Sequence, residues 1–185
     1  MLLARAAGEP FADVLRTRIF DPLAMAATGF WTPQTQRLAT AYRPTSDALV
    51  AWDQPNGTWS HPPASGDRAA GLVPAADDLL VFARMLARAG SLVLPAHAMA
   101  SEELTPAQKA HGGLGPDFFK GRSWGLGQSV LEGGAYGWVG GFGTSWLVEP
   151  TCDLTIIVAT QLMFERAEPP QVHRDIQAAA QAALS

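Results

Sequence analysis

Few of the side chains that can act as nucleophile, base or metal ligand sit where such chemistry could start. Cys152 is the only cysteine, within Glu149-Pro150-Thr151-Cys152-Asp153. That segment reads as a turn, and no histidine is near it in sequence to hold the thiol as thiolate. A single cysteine also excludes an intrachain disulfide and leaves the redox compartment unread. His61, His97, His111 and His173 lie far apart and lack the H-E-x-x-H spacing that puts two imidazoles on one helical face around zinc. Each reads as a surface or helix-end histidine. Asp77 and Asp78 could suggest acid–base or metal work. They open a helical pattern, however, where the helix dipole favours negative charge. No G-x-x-x-x-G-K-[ST] phosphate loop occurs. No metal and no cofactor is therefore expected. The remaining candidate is Gly137-Trp138-Val139-Gly140-Gly141-Phe142-Gly143-Thr144. On its residues alone it reads as a glycine-rich β-hairpin with a core tryptophan.

Positioning any such group needs a folded scaffold, and 185 residues suffice for one domain with a core. A composition 48% hydrophobic and 16% charged is globular rather than disordered. Thirteen Lys and Arg against seventeen Asp and Glu leave a net charge of −4. That provides no basic face for nucleic acid and no cationic run for an anionic membrane surface. A neutral small molecule is the default substrate. No segment approaches the ~20 apolar residues of a membrane span. Met1 to Gly8 is a short apolar stretch broken by Arg5, unlike a signal peptide. Localisation stays open.

Leu2, Leu3 and Ala6 suit the last turns of a helix that Gly8 ends, so Met1 reads like an interior residue. Pro10 is expected at the first position of a second helix. There Phe11, Val14, Leu15 and Ile19 share a face up to Asp21-Pro22. Residues 31–70 show no sustained period and read as a functional loop. Their Trp31, Trp52 and Trp59 either line a substrate cleft or cap the core. The helix opened by Asp77 and Asp78 should bury Leu79, Phe82, Ala83, Leu86 and Ala89 and close at Gly90. A shorter helix near Ser101 or Pro106 is broken by Gly112 to Gly115. The last third predicts strands over 124–130, 136–141, 144–148 and 154–160, with a turn at Gly133-Gly134. Leu154 to Ala159 is almost continuously apolar, as in a strand covered on both faces. A final helix should lay Val172, Ile176, Ala179, Ala180 and Ala183 on the sheet. The expected class is α+β, an antiparallel sheet with a packed C-terminal helix plus a helical, loop-rich region. The boundary falls between 1–122 and 123–185 of a single, incomplete domain.

Several segments together carry a resemblance. Gly8-Glu9-Pro10-Phe11, Ile19-Phe20-Asp21-Pro22-Leu23-Ala24-Met25 and Thr28-Gly29-Phe30 look like "G-x-x-F … I-F-x-P-L-G-M … T-G-F". Arg37 to Tyr42 resembles a segment just beyond. Ala70-Gly71-Leu72-Val73-Pro74-Ala75-Ala76-Asp77-Asp78-Leu79 is similar to "G-G-L-x-S-T-A-x-D-L". Gly137 to Thr144, followed by Glu149-Pro150, looks like the strand pair of a third motif. In this order they resemble the class C β-lactamase-like serine hydrolases, which include esterases and penicillin-binding D-alanyl-D-alanine carboxypeptidases. The departures are Ala24 for glycine and Pro74 for the serine that usually caps the helix. His111-Gly112-Gly113 superficially resembles an oxyanion loop of α/β-hydrolases, but no G-x-S-x-G accompanies it.

The resemblance implies a β-lactamase/transpeptidase-like fold, present in part. It implies a serine activated by lysine in S-x-x-K, a tyrosine in Y-x-N, and a third motif edging the cleft. Only the third transfers: Trp138-Val139-Gly140 as the substrate-flanking triplet, and the Gly141 backbone N–H as an oxyanion donor. Trp138 stands where a lysine would hold a substrate carboxylate, which disfavours β-lactam or D-Ala-D-Ala recognition and favours an ester. Val139 lacks the usual hydroxyl. Lys109 and Lys120 follow Pro106 and Asp117 at the serine position, and Tyr42 and Tyr136 precede Pro44 and Trp138 at the asparagine position. Neither of the first two motifs is therefore present. The expectation is a C-terminal hydrolase fragment: a truncated product, a start assigned at an internal methionine, or a piece of a longer protein. It would be inactive alone and take a small-molecule ester or amide substrate only when completed. Self-association through an exposed sheet edge is a further expectation. The alternatives are a non-catalytic binding module on the same scaffold and a complementing half of a split hydrolase.

Overall fold

The alternation in the last third of the chain becomes a five-stranded sheet in the computed structural model. The structure describes residues 2–64, 71–88, 104–111, 121–125, 127–166 and 168–184. A two-stranded sheet comes first, β1 (Ala41–Pro44) with β2 (Leu49–Asp53). The larger sheet follows chain order: β3 (Arg122–Trp124), β4 (Ser129–Leu131), β5 (Tyr136–Gly140), β6 (Thr144–Glu149) and β7 (Leu154–Ala159). Connections this short join antiparallel neighbours, because a parallel crossover needs a dozen residues or more. The register pairs Ser123 with Val130 and Val130 with Tyr136.

The chain divides into two compact units. One comprises Met1–Val81, Gly140–Gly143 and Ala159–Glu168, the other Phe82–Val139, Thr144–Val158 and Pro169–Ser185. In the second unit the sheet is covered on both faces. Val130, Tyr136, Trp146, Val148 and Ile157 pack with Ala83, Leu86 and Ala87 of helix α3 (Ala76–Ala87). Leu131, Ala135, Leu147, Ile156 and Val158 pack with Ala180 of the last helix, α5 (Gln171–Ala182). Residues one apart on β6 and β7 go to opposite sides, as strand periodicity dictates. The near-continuous apolar run of β7 follows from that.

In the first unit, α1 (Leu2–Ala7) ends at Gly8 with φ +71°, as expected. Pro10 caps α2 (Phe11–Leu15) from outside rather than occupying its first turn. A π-helical turn, Arg16–Phe20, then shifts the register, so Phe20 is buried deeper than the expected Ile19. Residues 31–64 are not structureless: they hold the β1–β2 hairpin and two 3₁₀ turns, Thr35–Arg37 and Thr58–Ser60.

Two further expectations are corrected. The segment from Trp124 to Val130 is not one strand. The chain reverses between β3 and β4, where the Gly125 N–H donates to Gln128 O (2.8 Å) and Gly127 takes φ +93°. On α5 the buried residue is His173, while Val172 and Ile176 are 47% and 42% exposed. A small-residue helix with few large apolar side chains left its buried stripe underdetermined. The shorter helix is α4 (Pro106–His111). Met1, Ala70, Ala89, Gly90, His97, Ser101, Gly112 to Gly115, Asp117, Lys120 and Leu126 lie outside the described residues. Among the described residues, no helix is long and apolar enough to cross a membrane.

Candidate functional site

Strand β5 and the turn after it present the four residues singled out by motif. The strand is set close to β6: a Cβ on Gly137 would run into the Trp146 carbonyl oxygen, so only glycine fits there. One residue on, Trp138 is half-buried, its ring edge-to-face with Trp124 at 4.8 Å and 84°. Such T-shaped pairs align a ring edge with a π face. Val139 and Gly140 are half-buried and Gly141 is exposed.

The turn is held by backbone bonds. Gly143 N–H donates to Gly140 O (3.0 Å), and Phe164 N–H donates to Gly141 O (2.8 Å). Thr160 donates to Gly143 O through its N–H (2.8 Å) and its Oγ1 (2.9 Å). Gly143 has φ +99°, and a Cβ there would lie 2.6 Å from Thr160 O and 2.7 Å from Leu162 O. The fold itself requires that glycine. Gly141 differs: its φ is outside the left-handed range, and a Cβ would meet nothing within 4 Å. No packing or backbone constraint inside the described chain asks for glycine at 141. Gly141 is thus an exposed residue on a turn fixed by backbone hydrogen bonds, with no side chain to cover its main chain.

Phe142 carries the only side chain between these glycines. It is 39% exposed and stacks on Trp52 (5.1 Å, 25°), with Trp59 against it edge-on (5.9 Å, 72°). Sequence reasoning left Phe142 out. The available signal was a large aromatic inside a glycine run, where a turn residue is usually polar.

The other reactive groups are accounted for differently. Ser145 Oγ and His173 Nδ1 share a 2.8 Å hydrogen bond, the geometry of a nucleophile and its base. Both are sealed, at 1% and 0% exposure, which corrects the surface reading of His173. Burial lowers the His173 pKa below its ordinary 6.5. Tyr136 is also buried, and its phenol is pushed up from the ordinary 10.0, away from what a proton-abstracting tyrosinate requires. Asp78 Oδ2 accepts from Ala27 N–H (2.8 Å) and Thr28 Oγ1 (2.7 Å), tying α3 to the preceding loop. His61 is exposed, with Nδ1 2.8 Å from Ser60 Oγ, and Cys152 is an exposed thiol on a 3₁₀ turn. Among the described residues no group of three or more His, Cys, Asp or Glu could hold a metal. A cavity of about 300 Å³ lies against Thr28, Gly29, Trp31, Arg37, Val73 and Pro74. None of its lining residues belongs to the 140–143 turn.

The family model described as Beta-lactamase matches residues 1–181. Protein Rv1367c and the uncharacterized protein MT1414, both of Mycobacterium tuberculosis, are 30% identical over 183 residues, covering 87% of this chain. The chain spans about half, 46%, of the length of these curated relatives. Among solved structures, EstCE1, a hydrolase with promiscuous acyltransferase activity, is 26% identical with TM-score 0.67, over 88% of this chain and 49% of its own. Unliganded simvastatin synthase (LovD) from Aspergillus terreus, a selenomethionyl derivative, is 21% identical with TM-score 0.72, over 97% of this chain and 51% of its own. At that identity the likeness concerns the fold alone.

Proposed function

We propose a function from one premise that the family match secures: this chain belongs to the beta-lactamase family. It carries the mixed helix and antiparallel-sheet architecture of β-lactamase/transpeptidase-like serine hydrolases. We read it as the substrate-flanking, carboxy-terminal half of an acyl-transfer site for small-molecule esters or amides. In this reading the Gly141 N–H is one donor to the carbonyl oxygen as it gains negative charge. Such a preorganised donor stabilises the transition state without a charged side chain. Trp138, Val139 and Gly140 border the substrate. With Trp138 in the place of a cation, nothing at that position holds a substrate carboxylate, and an ester fits better than a β-lactam.

The observation that carries the reading is the contrast among the glycines. Gly137 and Gly143 are demanded by close backbone approach, whereas Gly141 is open and exposed. A glycine without an internal reason is explained by something outside the chain that must reach its amide. Neither S-x-x-K nor Y-x-N occurs among the 185 residues. The chain alone therefore has no acyl-enzyme route, and completion by other polypeptide is part of the proposal.

Two measurements test it. The purified chain should turn over neither p-nitrophenyl butyrate nor nitrocefin; serine-dependent turnover by the isolated chain would overturn the reading. Supplied with the amino-terminal half of a family member carrying S-x-x-K and Y-x-N, it should hydrolyse the ester. Gly141→Pro deletes the N–H and should then lower kcat by about 100- to 1000-fold. An unchanged kcat removes Gly141 from the oxyanion role.

A further inference from the structure

We propose that Trp52, Trp59 and Phe142 form a subsite for an aromatic group of the substrate, next to the amide assigned to its carbonyl. The proposal rests on the functional reading above for the identity of that carbonyl, but the subsite itself stands on separate observations.

The first is position. Phe142 is peptide-bonded to Gly141, and consecutive Cα atoms are about 3.8 Å apart. The ring therefore starts one residue from the amide assigned to the carbonyl, within the span of a small ester. The second is that the three rings are held in place. Tyr42 N–H donates to Gln161 O (2.7 Å) and Met163 N–H to Tyr42 O (2.9 Å), fastening the β1–β2 hairpin to residues 161–163. Thr160 and Phe164 fasten the same segment to the 141–143 turn. Trp52 on β2 and Phe142 on the turn are thus parts of one hydrogen-bonded frame. The loop from Trp52 to Trp59 is pinned as well, with Thr58 N–H donating to Asp53 Oδ1 (3.0 Å) and Gly57 N–H to Gln54 O (2.8 Å).

The third observation is exposure. Trp52 and Phe142 stack on each other, yet each keeps 39% of its surface in solvent. A stacked pair that served only to cap the core would turn its faces inward. Here part of each fixed side chain remains accessible to solvent, and an aromatic group of the substrate can pack against it at little ordering cost. A flat ring gains from that geometry more than a flexible alkyl chain does, which must also lose rotamer freedom.

The test measures binding to the chain as it is, so it needs no turnover. The probe is 4-phenylbutan-2-one, an unhydrolysable stand-in for a phenyl-bearing ester, compared with 2-octanone by ligand-observed NMR titration. The phenyl ketone should bind more tightly than the alkyl ketone. Trp52→Ala and Phe142→Leu should each weaken it by roughly five- to ten-fold, the scale of one lost aromatic contact. Trp52→Phe keeps a ring and should retain binding within about two-fold, which separates a lost stacking partner from a damaged fold. Equal binding of the two ketones, or phenyl-ketone binding unchanged in both Trp52→Ala and Phe142→Leu, overturns the subsite. Binding lost in Trp52→Ala but unaltered in Gly141→Pro supports the subsite while counting against Gly141 as the carbonyl's anchor, so the two readings fail separately.

Discussion

Two regions invert what their side chains suggest. Beneath α5, Ser145 and His173 are within hydrogen-bond distance and have the chemistry of a nucleophile with its base, yet both are sealed from solvent. At the end of β5, Gly141 has no side chain at all and lies open on a braced turn. The buried pair acts as a polar tie between β6 and the first turn of α5, since a buried polar atom must find a partner. On the proposed reading, it is the Gly141 amide that meets the substrate carbonyl. Access, more than residue type, decides which group can take part in a reaction.

The largest test of that contrast is His173→Ala. It leaves a cavity under α5 and removes the closer partner of Ser145, and should cost roughly 2–5 kcal/mol in denaturant unfolding. A loss below about 0.5 kcal/mol would mean the pair is not structural. In the same spirit, an organophosphate reagent should leave Ser145 of the folded chain unlabelled; native labelling would reopen it as a nucleophile.

Next comes Gly143→Ala. The left-handed φ and the two carbonyl oxygens at 2.6 and 2.7 Å leave no room for a methyl, so a loss of roughly 1–3 kcal/mol is expected. A neutral result would show that the turn relaxes easily and would weaken the argument from glycine contrast.

The pH dependence of stability sharpens the sealed side of the comparison. Burial lowers the His173 pKa below 6.5, so the folded chain keeps the imidazole neutral while the unfolded chain protonates it near 6.5. The unfolded state then binds more protons below that pH. Stability from this group is fully present above pH 6.5 and is lost as pH falls through the folded value. Denaturant midpoints measured between pH 8 and 5 should drop on the acid side, and His173→Gln should flatten that part of the profile. An identical acid limb in the variant would assign it to other groups.

The smallest effect is expected at Gly141→Ala, which adds a methyl into open space and should change stability by no more than about 0.5 kcal/mol. A larger loss in thermal unfolding would show that the fold needs this glycine, and the functional explanation would lose its basis.

Much of the sheet could be read from residue order. Tyr136 to Gly140, Thr144 to Glu149 and Leu154 to Ala159 follow β-branched and aromatic runs bounded by glycine and proline. The Asp77-Asp78 helix start was equally plain. The β1–β2 hairpin was not, because Leu49 to Trp52 are all exposed and show no inside-outside alternation to signal a strand. The reversal between Trp124 and Ser129 was hidden because alternating glycines mimic strand periodicity while allowing a tight turn.

The order of the chain alone determined which motif residues are present and which are absent. Those are matters of identity and spacing: the Trp138-Val139-Gly140-Gly141 run is there, and a serine three residues before a lysine is not. Tertiary structure decided what surrounds each group. It buried His173, left Gly141 bare, and brought Trp52 against Phe142 across ninety positions of chain. Burial and ring contact depend on long-range packing, and no local period in a sequence encodes them.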